Sequence, residues 1–376
     1  MASPPGDASP LLPLSQGPRV VVYHQTHHRD GKPVSILPLI TQRTGVTHVI
    51  IAAIHLNEGP GNITLNDDPP HASKFGSLWG EVAWLQASGV KVLGMLGGAA
   101  KGSFARLDTS NPATSGGDNF EAYYAPLAAL IRQRRLDGLD LDVEEETSLP
   151  GIVRLIDRLK RDFGPAFLVT LAPVATALLP GQPHLSGFDY GVLERMRGPD
   201  IAWYNTQFYC GWGDMRTTAW YDAIISSGGW RPSKVVVGLI TNPALGAGFV
   251  DHGNVFDVLR VLRAKYPDFG GVMGWEYFNS LPGDEGRPWE WAAGMARTIR
   301  SAMPPVGLVE GGRGVEAPGV VAGGGLLSGG HLPQQPFPAQ HVQTLQELGF
   351  SRQQAVAALN MTGGDVEQAA GLLFPE

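Results

Sequence analysis

The chain has very little cysteine and no excess of basic charge, and both shortages exclude whole classes of protein. Cys210 is the single cysteine among 376 residues, so an intramolecular disulfide is impossible and a disulfide-stabilised secreted scaffold is excluded. The formal net charge is -7, and no basic cluster offers a footprint for nucleic acid or an anionic membrane. We therefore expect neutral molecules or proteins as partners.

Long apolar runs are missing as well. No segment reaches the roughly 20 apolar residues that a membrane-spanning helix needs. Residues 1–18 lack the basic and apolar regions of a signal peptide. Together with the lack of disulfides, these shortages predict a cytoplasmic protein without a membrane partner.

Short runs of β-branched and aliphatic residues recur eight times after position 18. They occupy 19–23, 47–54, 91–95, 138–144, 167–172, 201–208, 234–240 and 271–275. Helical patterns fill most of the intervals, at 79–87, 119–134, 150–163, 190–196, 219–226, 254–265 and 288–302. Eight βα units in succession predict an α/β fold, and a (β/α)8 TIM barrel fits them better than an open doubly wound sheet.

Composition divides the chain into four segments. A lead-in rich in Pro, Ser and Gly predicts a flexible N-terminus over 1–18, and the barrel is predicted over 19–303. A Gly- and Pro-rich linker is predicted over 304–338. Residues 339–376 then show three short amphipathic helical patterns, which predict a small three-helix bundle.

The fourth predicted strand carries the most informative pattern in the chain. Three acids, Asp140, Asp142 and Glu144, alternate with aliphatic residues, so a strand places all three on one face. Parallel strands of this fold are covered on both sides, which predicts that the acids point inward. Three carboxylates so close together cannot all be ionised. A shared proton would leave Glu144 able to donate to a leaving group as a general acid.

Other polar and aromatic residues are predicted to line the same cavity. No second carboxylate at another strand end is evident as a nucleophile, so a substrate group is predicted to supply it. Asn205 and Gln207 share the polar face of the sixth strand and are predicted to bind substrate. Tyr209 lies near the top of that strand, as a hydrogen-bond partner for a reacting amide or as a structural tyrosine. Trp275 ends the eighth strand and either stacks on a sugar or packs in the core.

Three histidines at the end of the first strand, His24, His27 and His28, raise the alternative of a metal site. No clear further set of ligands accompanies them, so we expect them to face substrate or solvent. Neither a metal nor a cofactor is predicted.

The acidic strand also resembles a known family. The residues Asp137-Gly138-x-Asp140-x-Asp142-x-Glu144 form the DGxDxDxE signature that resembles family-18 glycoside hydrolases, on the fourth strand as in that family. The resemblance implies that Glu144 is the acid/base and that Asp142 orients the substrate 2-acetamido group as it attacks the anomeric carbon. It further implies supporting or substrate-binding roles for Asp140, Tyr209, Trp275 and the first-strand aromatic Tyr23. Met95 departs from the pattern, because the SxGG motif of the family has Ser there.

Four blocks, at 35–41, 94–104, 203–209 and 271–283, resemble the fungal-type endo-β-N-acetylglucosaminidases of that family. This likeness implies a substrate-assisted, retaining hydrolase of the GlcNAc-β-1,4-GlcNAc bond in the N-glycan core. Chitinases share the catalytic residues, so chitin or chitooligosaccharides are the alternative substrate. A non-catalytic glycan-binding or ubiquitin adaptor is a third reading, against which the intact acidic set argues.

The C-terminal segment resembles a ubiquitin-associated (UBA) domain. The likeness is carried by residues 348–350, 355–359, 364–366 and 372–373. It implies an apolar patch for ubiquitin, or for a ubiquitylated glycoprotein, formed by Leu348, Gly349, Phe350, Leu372 and Leu373. Alternatively, these side chains complete the core of the three-helix bundle.

Overall fold

A computed structural model describes residues 17–108, 119–301 and 339–347, together with the single positions 355, 359, 366, 369 and 370. The chain divides into two compact units, Met1–Arg300 and Ser301–Glu376. The segment boundaries that the composition suggests, after residues 18, 303 and 338, stay predictions.

Eight parallel strands form a closed barrel in the first unit. Each strand is hydrogen-bonded to its neighbours in chain order, and the last strand pairs with the first. The strands are β1 (Arg19–His24), β2 (His48–Leu56), β3 (Lys91–Gly97), β4 (Gly138–Asp142), β5 (Leu168–Leu171), β6 (Trp203–Gln207), β7 (Val235–Ile240) and β8 (Gly271–Trp275). The predicted (β/α)8 barrel is confirmed.

Helices follow the strands and cover the outside of the barrel. In this unit they are α1 (Pro38–Thr41), α2 (Gly76–Ala87), α3 (Ser103–Leu107), α4 (Phe120–Arg134), α5 (Leu149–Phe163), α6 (Tyr190–Arg197), α7 (Ala219–Ser226), α8 (His252–Lys265) and α9 (Trp289–Arg300). The sequence pattern does not predict α1 and α3, because 4 and 5 residues are too few to show a helical period. Among the described residues, no helix combines the length and apolar character that crossing a membrane requires.

Apolar side chains fill the lower part of the barrel interior. They come from six strands, and the buried cluster consists of Val21, Tyr23, Ile50, Ala52, Ala53, Leu93, Met95, Trp203, Val236 and Met273. Because side chains alternate along a strand, every second residue of these strands belongs to this interior and the others pack against the helices, except at Ala52 and Ala53, where the register of β2 is irregular. Polar side chains at inward positions therefore have to find partners inside the barrel.

The start of α5 fixes the chain just beyond the acidic strand. Ser and Pro are favoured at the N-cap and in the first turn, so the sequence predicts a helix start at Ser148 and Pro150. In the structure Ser148 Oγ accepts a hydrogen bond from the Gly151 amide at 3.1 Å, and Pro150 lies in the first turn. The same hydroxyl donates to Asp108 Oδ1 at 2.7 Å. The cap thus anchors the segment that follows Glu144 to the neighbouring α3–α4 connection.

The second unit contains α10 (Ala339–Glu347) and further helical positions at 355, 359, 366, 369 and 370. Its buried apolar cluster consists of Val342, Leu345, Ala355, Leu359 and Ala369. The predicted ubiquitin-binding residues Leu348, Gly349, Phe350, Leu372 and Leu373 lie outside the described residues.

Candidate active site

The three acids of the DGxDxDxE motif lie at increasing height along one line of the barrel. Asp140 and Asp142 belong to β4 and are buried. Glu144 is two residues beyond the end of β4, which is shorter than predicted, and it is partly exposed. In a TIM barrel the C-terminal ends of the strands form the reactive face. The line of acids therefore runs from the core to that face and ends at its rim.

Asp140 is the deepest of the three acids and is held from three other strands. Its Oδ2 accepts from the Tyr23 hydroxyl at 2.6 Å, and its Oδ1 accepts from Thr170 Oγ1 at 2.5 Å and Asn205 Nδ2 at 3.0 Å. Burial raises the pKa of Asp140, and these hydrogen bonds lower it in part. Tyr23 and Asn205 are fully enclosed here. The structure thus places both of them at Asp140, beneath the cavity.

Gln207 joins the upper two acids. Its Nε2 group lies 3.2 Å from Asp142 Oδ1, 3.3 Å from Glu144 Oε1 and 2.9 Å from the Ala172 carbonyl oxygen, and it donates toward all three. Burial, then the charges of Glu144 and Asp140, raise the pKa of Asp142 well above its ordinary value. Two neighbouring carboxyls with raised pKa values favour the sharing of one proton between Asp142 and Glu144.

Glu144 itself lies in an environment suited to holding that proton. Burial raises the pKa of its carboxyl, while the Gln207 amide and the exposed Lys101 ammonium lower it in part. A general acid needs a raised pKa together with access to the leaving group. The partial exposure of Glu144 provides that access.

Two aromatic residues lie beside the acids at the reactive face. Tyr209 follows the end of β6 and is buried, and burial together with the charges of Asp142 and Glu144 raises the pKa of its hydroxyl well above the ordinary value. The hydroxyl is therefore a permanent hydrogen-bond donor. Trp275 ends β8, is partly exposed, and its ring centroid lies 5.5 Å from that of Tyr23. Hydrogen bonds and the contact of the two rings thus link the predicted site residues of β1, β4, β6 and β8 in one cluster.

The third strand shows how Met95 is accommodated where the family motif has Ser. Met95 is buried in the barrel core. Its Cε would lie 2.7 Å from a Cβ added at Gly98, whose φ is +93°, so a side chain at position 98 would collide with it. The Gly98 amide donates to the Asp142 carbonyl oxygen at 2.9 Å. Glycine at 98 therefore lets Met95 and the backbone of Asp142 pack closely.

From the sequence we expect Glu145 and Glu146 to leave the line of acids and to cap the loop that follows them, but in the structure Glu145 binds an earlier loop. It is buried, and its carboxylate accepts from the Gly102 and Phe104 amides, both at 2.8 Å. These amides are at the start of α3, in the loop before β4 along the chain. Glu146 is exposed.

The expectation that His24 and His27 face substrate or solvent is wrong. Tyr23 occupies the inward position of β1, so His24 points outward, where it is fully buried and lies 4.9 Å from His27 and 5.8 Å from Tyr277 between ring centroids. Within the described part of the chain, no group of three or more His, Cys, Asp or Glu side chains is arranged to hold a metal.

Two residues near the site are not predicted from the sequence. Thr170 is paired with Asp140 across β4 and β5, so a polar residue at that register was the available signal. Glu276 is buried directly after Trp275 and accepts hydrogen bonds from the loop that follows β1. An acid inside an otherwise aromatic and apolar segment was its signal.

Replacing Asp140 by Asn is expected to lower the free energy of unfolding by about 1–3 kcal/mol. In the wild type, three side-chain donors share the two carboxylate oxygens of Asp140. Asn replaces one of these oxygens by an NH2 group, so at least one buried donor loses its acceptor. Denaturant unfolding measures the change, with Glu146→Gln as an exposed acid-to-amide control. Equal stability of the two variants would contradict the prediction.

Comparison with known proteins places this geometry in a family. The chain is 48% identical to a fungal endo-beta-N-acetylglucosaminidase from glycosyl hydrolase family 18, with a TM-score of 0.71 over 76% of this chain and 99% of that one. It is 56% identical to the chitinase ChiC from Aspergillus fumigatus, with a TM-score of 0.67 over 75% of this chain and 99% of that one.

Two further similarities extend the comparison. Chitinase 2 of Rhizopus oligosporus is 23% identical over 286 residues, and the match covers 70% of this chain but spans about half, 49%, of that protein. Residues 337–373 match the UBA/TS-N domain model. On the identity to two solved structures that it covers almost completely, the chain belongs to glycosyl hydrolase family 18, and it carries a C-terminal UBA domain.

Proposed function

We propose that the barrel is a retaining endo-glycosidase that cleaves the GlcNAc-β-1,4-GlcNAc bond of the N-glycan core with help from the substrate's own acetamido group. The pair of Asp142 and Glu144 carries this proposal: Gln207 joins the two carboxyls at the reactive face, and burial raises the pKa of both. Such a pair can donate a proton and stabilise a developing positive charge at once.

The other buried carboxylates support the role of the acetamido group. Apart from the motif acids, the described part of the chain buries Asp108, Glu145 and Glu276, and each of these accepts hydrogen bonds from backbone amides. They are committed to holding loops. This supports a nucleophile from the substrate itself, which is the substrate-assisted variant of glycoside hydrolysis.

The proposed reaction has two steps. Glu144 gives its proton to the glycosidic oxygen while the acetamido oxygen attacks the anomeric carbon, and Asp142 holds the acetamido N–H. Tyr209 donates a hydrogen bond to the acetamido oxygen. Water, deprotonated by Glu144, then opens the cyclic oxazolinium ion at the anomeric carbon, which restores the original configuration.

The N-glycan core is the proposed substrate because four sequence blocks resemble the endo-β-N-acetylglucosaminidases and one solved relative with 48% identity is described as such an enzyme. Chitin is the second candidate, favoured by the 56% identity to a chain described as a chitinase. Side-by-side digestion of a high-mannose glycoprotein and chitooligosaccharides, with mass analysis, decides. One GlcNAc left on the protein supports the first, and faster turnover of chitooligosaccharides supports the second.

The UBA domain is proposed to bind ubiquitin and so to bring the barrel to ubiquitylated glycoproteins. Ubiquitylated glycoproteins as substrates place the proposed activity in the cytosol. The single cysteine of the chain, which permits no intramolecular disulfide, agrees with that compartment. The proposed contact surface consists of Leu348, Gly349, Phe350, Leu372 and Leu373. Small apolar patches of this kind bind weakly and reversibly.

Phe350→Ala is expected to reduce ubiquitin capture by the full chain at least about tenfold, since the loss of an apolar hot-spot anchor costs about 2 kcal/mol or more. Pull-down on immobilised ubiquitin measures it. Gln340→Ala, at an exposed position of α10, is the matched control and should bind as the wild type does. Capture of the Phe350→Ala chain at the wild-type level would exclude this surface.

A further inference from the structure

Glu276 is a buried carboxylate that the proposed reaction does not use. It directly follows Trp275 and is 3% exposed. Its Oε2 accepts from the Gln25 and Thr26 amides at 3.0 and 2.8 Å, and its Oε1 accepts from Thr26 Oγ1 at 2.8 Å. Burying a carboxylate costs several kcal/mol without such bonds. All three bonds hold one short segment, the chain just beyond β1.

The same segment is held from its other side. Asn66 Nδ2 donates to the Gln25 carbonyl oxygen at 2.9 Å, and Asn66 Oδ1 accepts from the Ala53 amide at 3.0 Å. The backbone of residues 25–26 is therefore fixed between Glu276, just beyond β8, and Asn66, which is itself bonded to Ala53 of β2. This belt of three loops follows one side of the barrel rim.

Glu276 can act as an anchor because its own backbone is fixed. Its carbonyl oxygen accepts from Thr241 Oγ1 at 2.6 Å and from Ser280 Oγ at 2.8 Å. The next amide, that of Tyr277, donates to the Tyr23 carbonyl oxygen at 2.9 Å. Glu276 thus links the segment beyond β1, through its carboxylate, to the ends of β7 and β8, through its backbone.

Gln25 is the residue in this segment placed to meet a ligand. It directly follows the last residue of β1 and is two positions beyond Tyr23, whose side chain points into the barrel; the alternation of β1, extended by this one residue, gives Gln25 the inner side of the rim. Gln25 and Thr26 are both partly exposed, and Trp275 is in contact with Tyr23. Amide side chains beside an exposed indole are typical of sugar sites, where one group stacks and the other binds hydroxyls.

We propose that Glu276 is a positioning residue for substrate binding: it fixes Gln25 at the rim so that its amide hydrogen-bonds the hydroxyls of the sugar stacked on Trp275. Glu276 acts through Gln25 and does not touch the substrate. This inference rests on the proposed function in one respect, namely that Trp275 contacts the sugar.

Glu276→Gln is expected to raise KM for the glycan substrate about tenfold and to change kcat less than about twofold, because a hydrogen bond to hydroxyls that take no part in the reaction stabilises the bound substrate and the transition state equally. Gln25→Ala should have a similar effect. If Glu276 acts through Gln25, the double variant Gln25→Ala/Glu276→Gln should be no worse than either single variant. Full addition of the two effects would overturn the inference.

A second control separates positioning from general stability. Thr47 Oγ1 bonds the Val20 amide and carbonyl at the opposite end of β1, each at 3.0 Å. Thr47→Val should lower the thermal midpoint and leave KM unchanged. If Glu276→Gln does the same, Glu276 is only structural. Trp275→Ala tests the proposed function separately. An unchanged KM in this variant would mean that Trp275 does not bind the sugar. A raised KM in Trp275→Ala together with an unchanged KM in Glu276→Gln would overturn this inference alone.

Discussion

Glu144→Gln is expected to lower hydrolysis of an N-glycan about 100- to 10,000-fold, the range over which a positioned general acid contributes. Gln has the shape of Glu but cannot donate a proton to the glycosidic oxygen or take one from water. Glu144 is partly exposed, so the substitution should leave the free energy of unfolding nearly unchanged. Release of the cleaved glycan, measured by mass analysis over time, gives the rate.

Glu146→Gln is the matched control, because Glu146 is an exposed acid two residues further along the chain. It should cleave at the wild-type rate. A Glu144→Gln variant as active as this control would rule out Glu144 as the proton donor.

The leaving group offers a sharper test of the same role. A nitrophenol leaves without protonation, so the first step on a nitrophenyl glycoside of chitobiose does not need a general acid. Glu144→Gln should therefore lose less activity on this substrate than on a natural glycan. An equal loss on both would indicate that Glu144 does something other than donate the proton.

The sequence predicts the barrel well because its signals are local. Eight apolar runs and seven helical patterns coincide with strands and helices of the structure, and the α5 cap at Ser148 is visible in a few residues. The motif acids can likewise be recognised within the sequence of one strand. The alternation of side chains alone predicts that Asp140 and Asp142 share a face.

Contacts between distant segments are what the sequence could not predict. The Glu145 carboxylate binds the Gly102 amide 43 residues earlier, and Gln207 reaches Asp142 65 residues away, both through the closure of the barrel. The outward direction of His24 depends on Tyr23 taking the inward position, which a run of buried residues on both faces does not reveal. Hydrogen-bond partners from distant segments are determined by the register of neighbouring strands, which the composition of a segment does not show.

Asp142→Asn is expected to lower the rate about 100- to 1,000-fold, the effect of removing one group that stabilises developing charge. The oxazolinium ion is positively charged and its N–H lies where Asp142 is proposed to accept. Asn keeps the size of Asp but supplies no negative charge. Its buried surroundings, with Gln207 on one oxygen and the Gly98 amide on the backbone, should hold it in the same place.

Asp137→Asn is the control at the opposite end of the same strand segment. Asp137 accepts from the Val92 amide at 2.9 Å and from Lys91 Nζ at 2.8 Å, so its loss should reduce stability and leave kcat unchanged. A fall in kcat equal to that of Asp142→Asn would mean that distortion of β4, and not the charge at 142, limits the reaction.

Binding of a thiazoline, a stable cyclic analogue of the oxazolinium ion, separates the two acids. An analogue of this kind needs the group that faces its ring nitrogen but needs no proton donor for a leaving group. Asp142→Asn should therefore lose affinity for the thiazoline by a factor close to its loss in rate, while Glu144→Gln should bind it nearly as the wild type does. Calorimetry on the full chain measures both. If Asp142→Asn kept its affinity, Asp142 would not stabilise the cyclic intermediate, and the nucleophile would have to be sought outside the acetamido group.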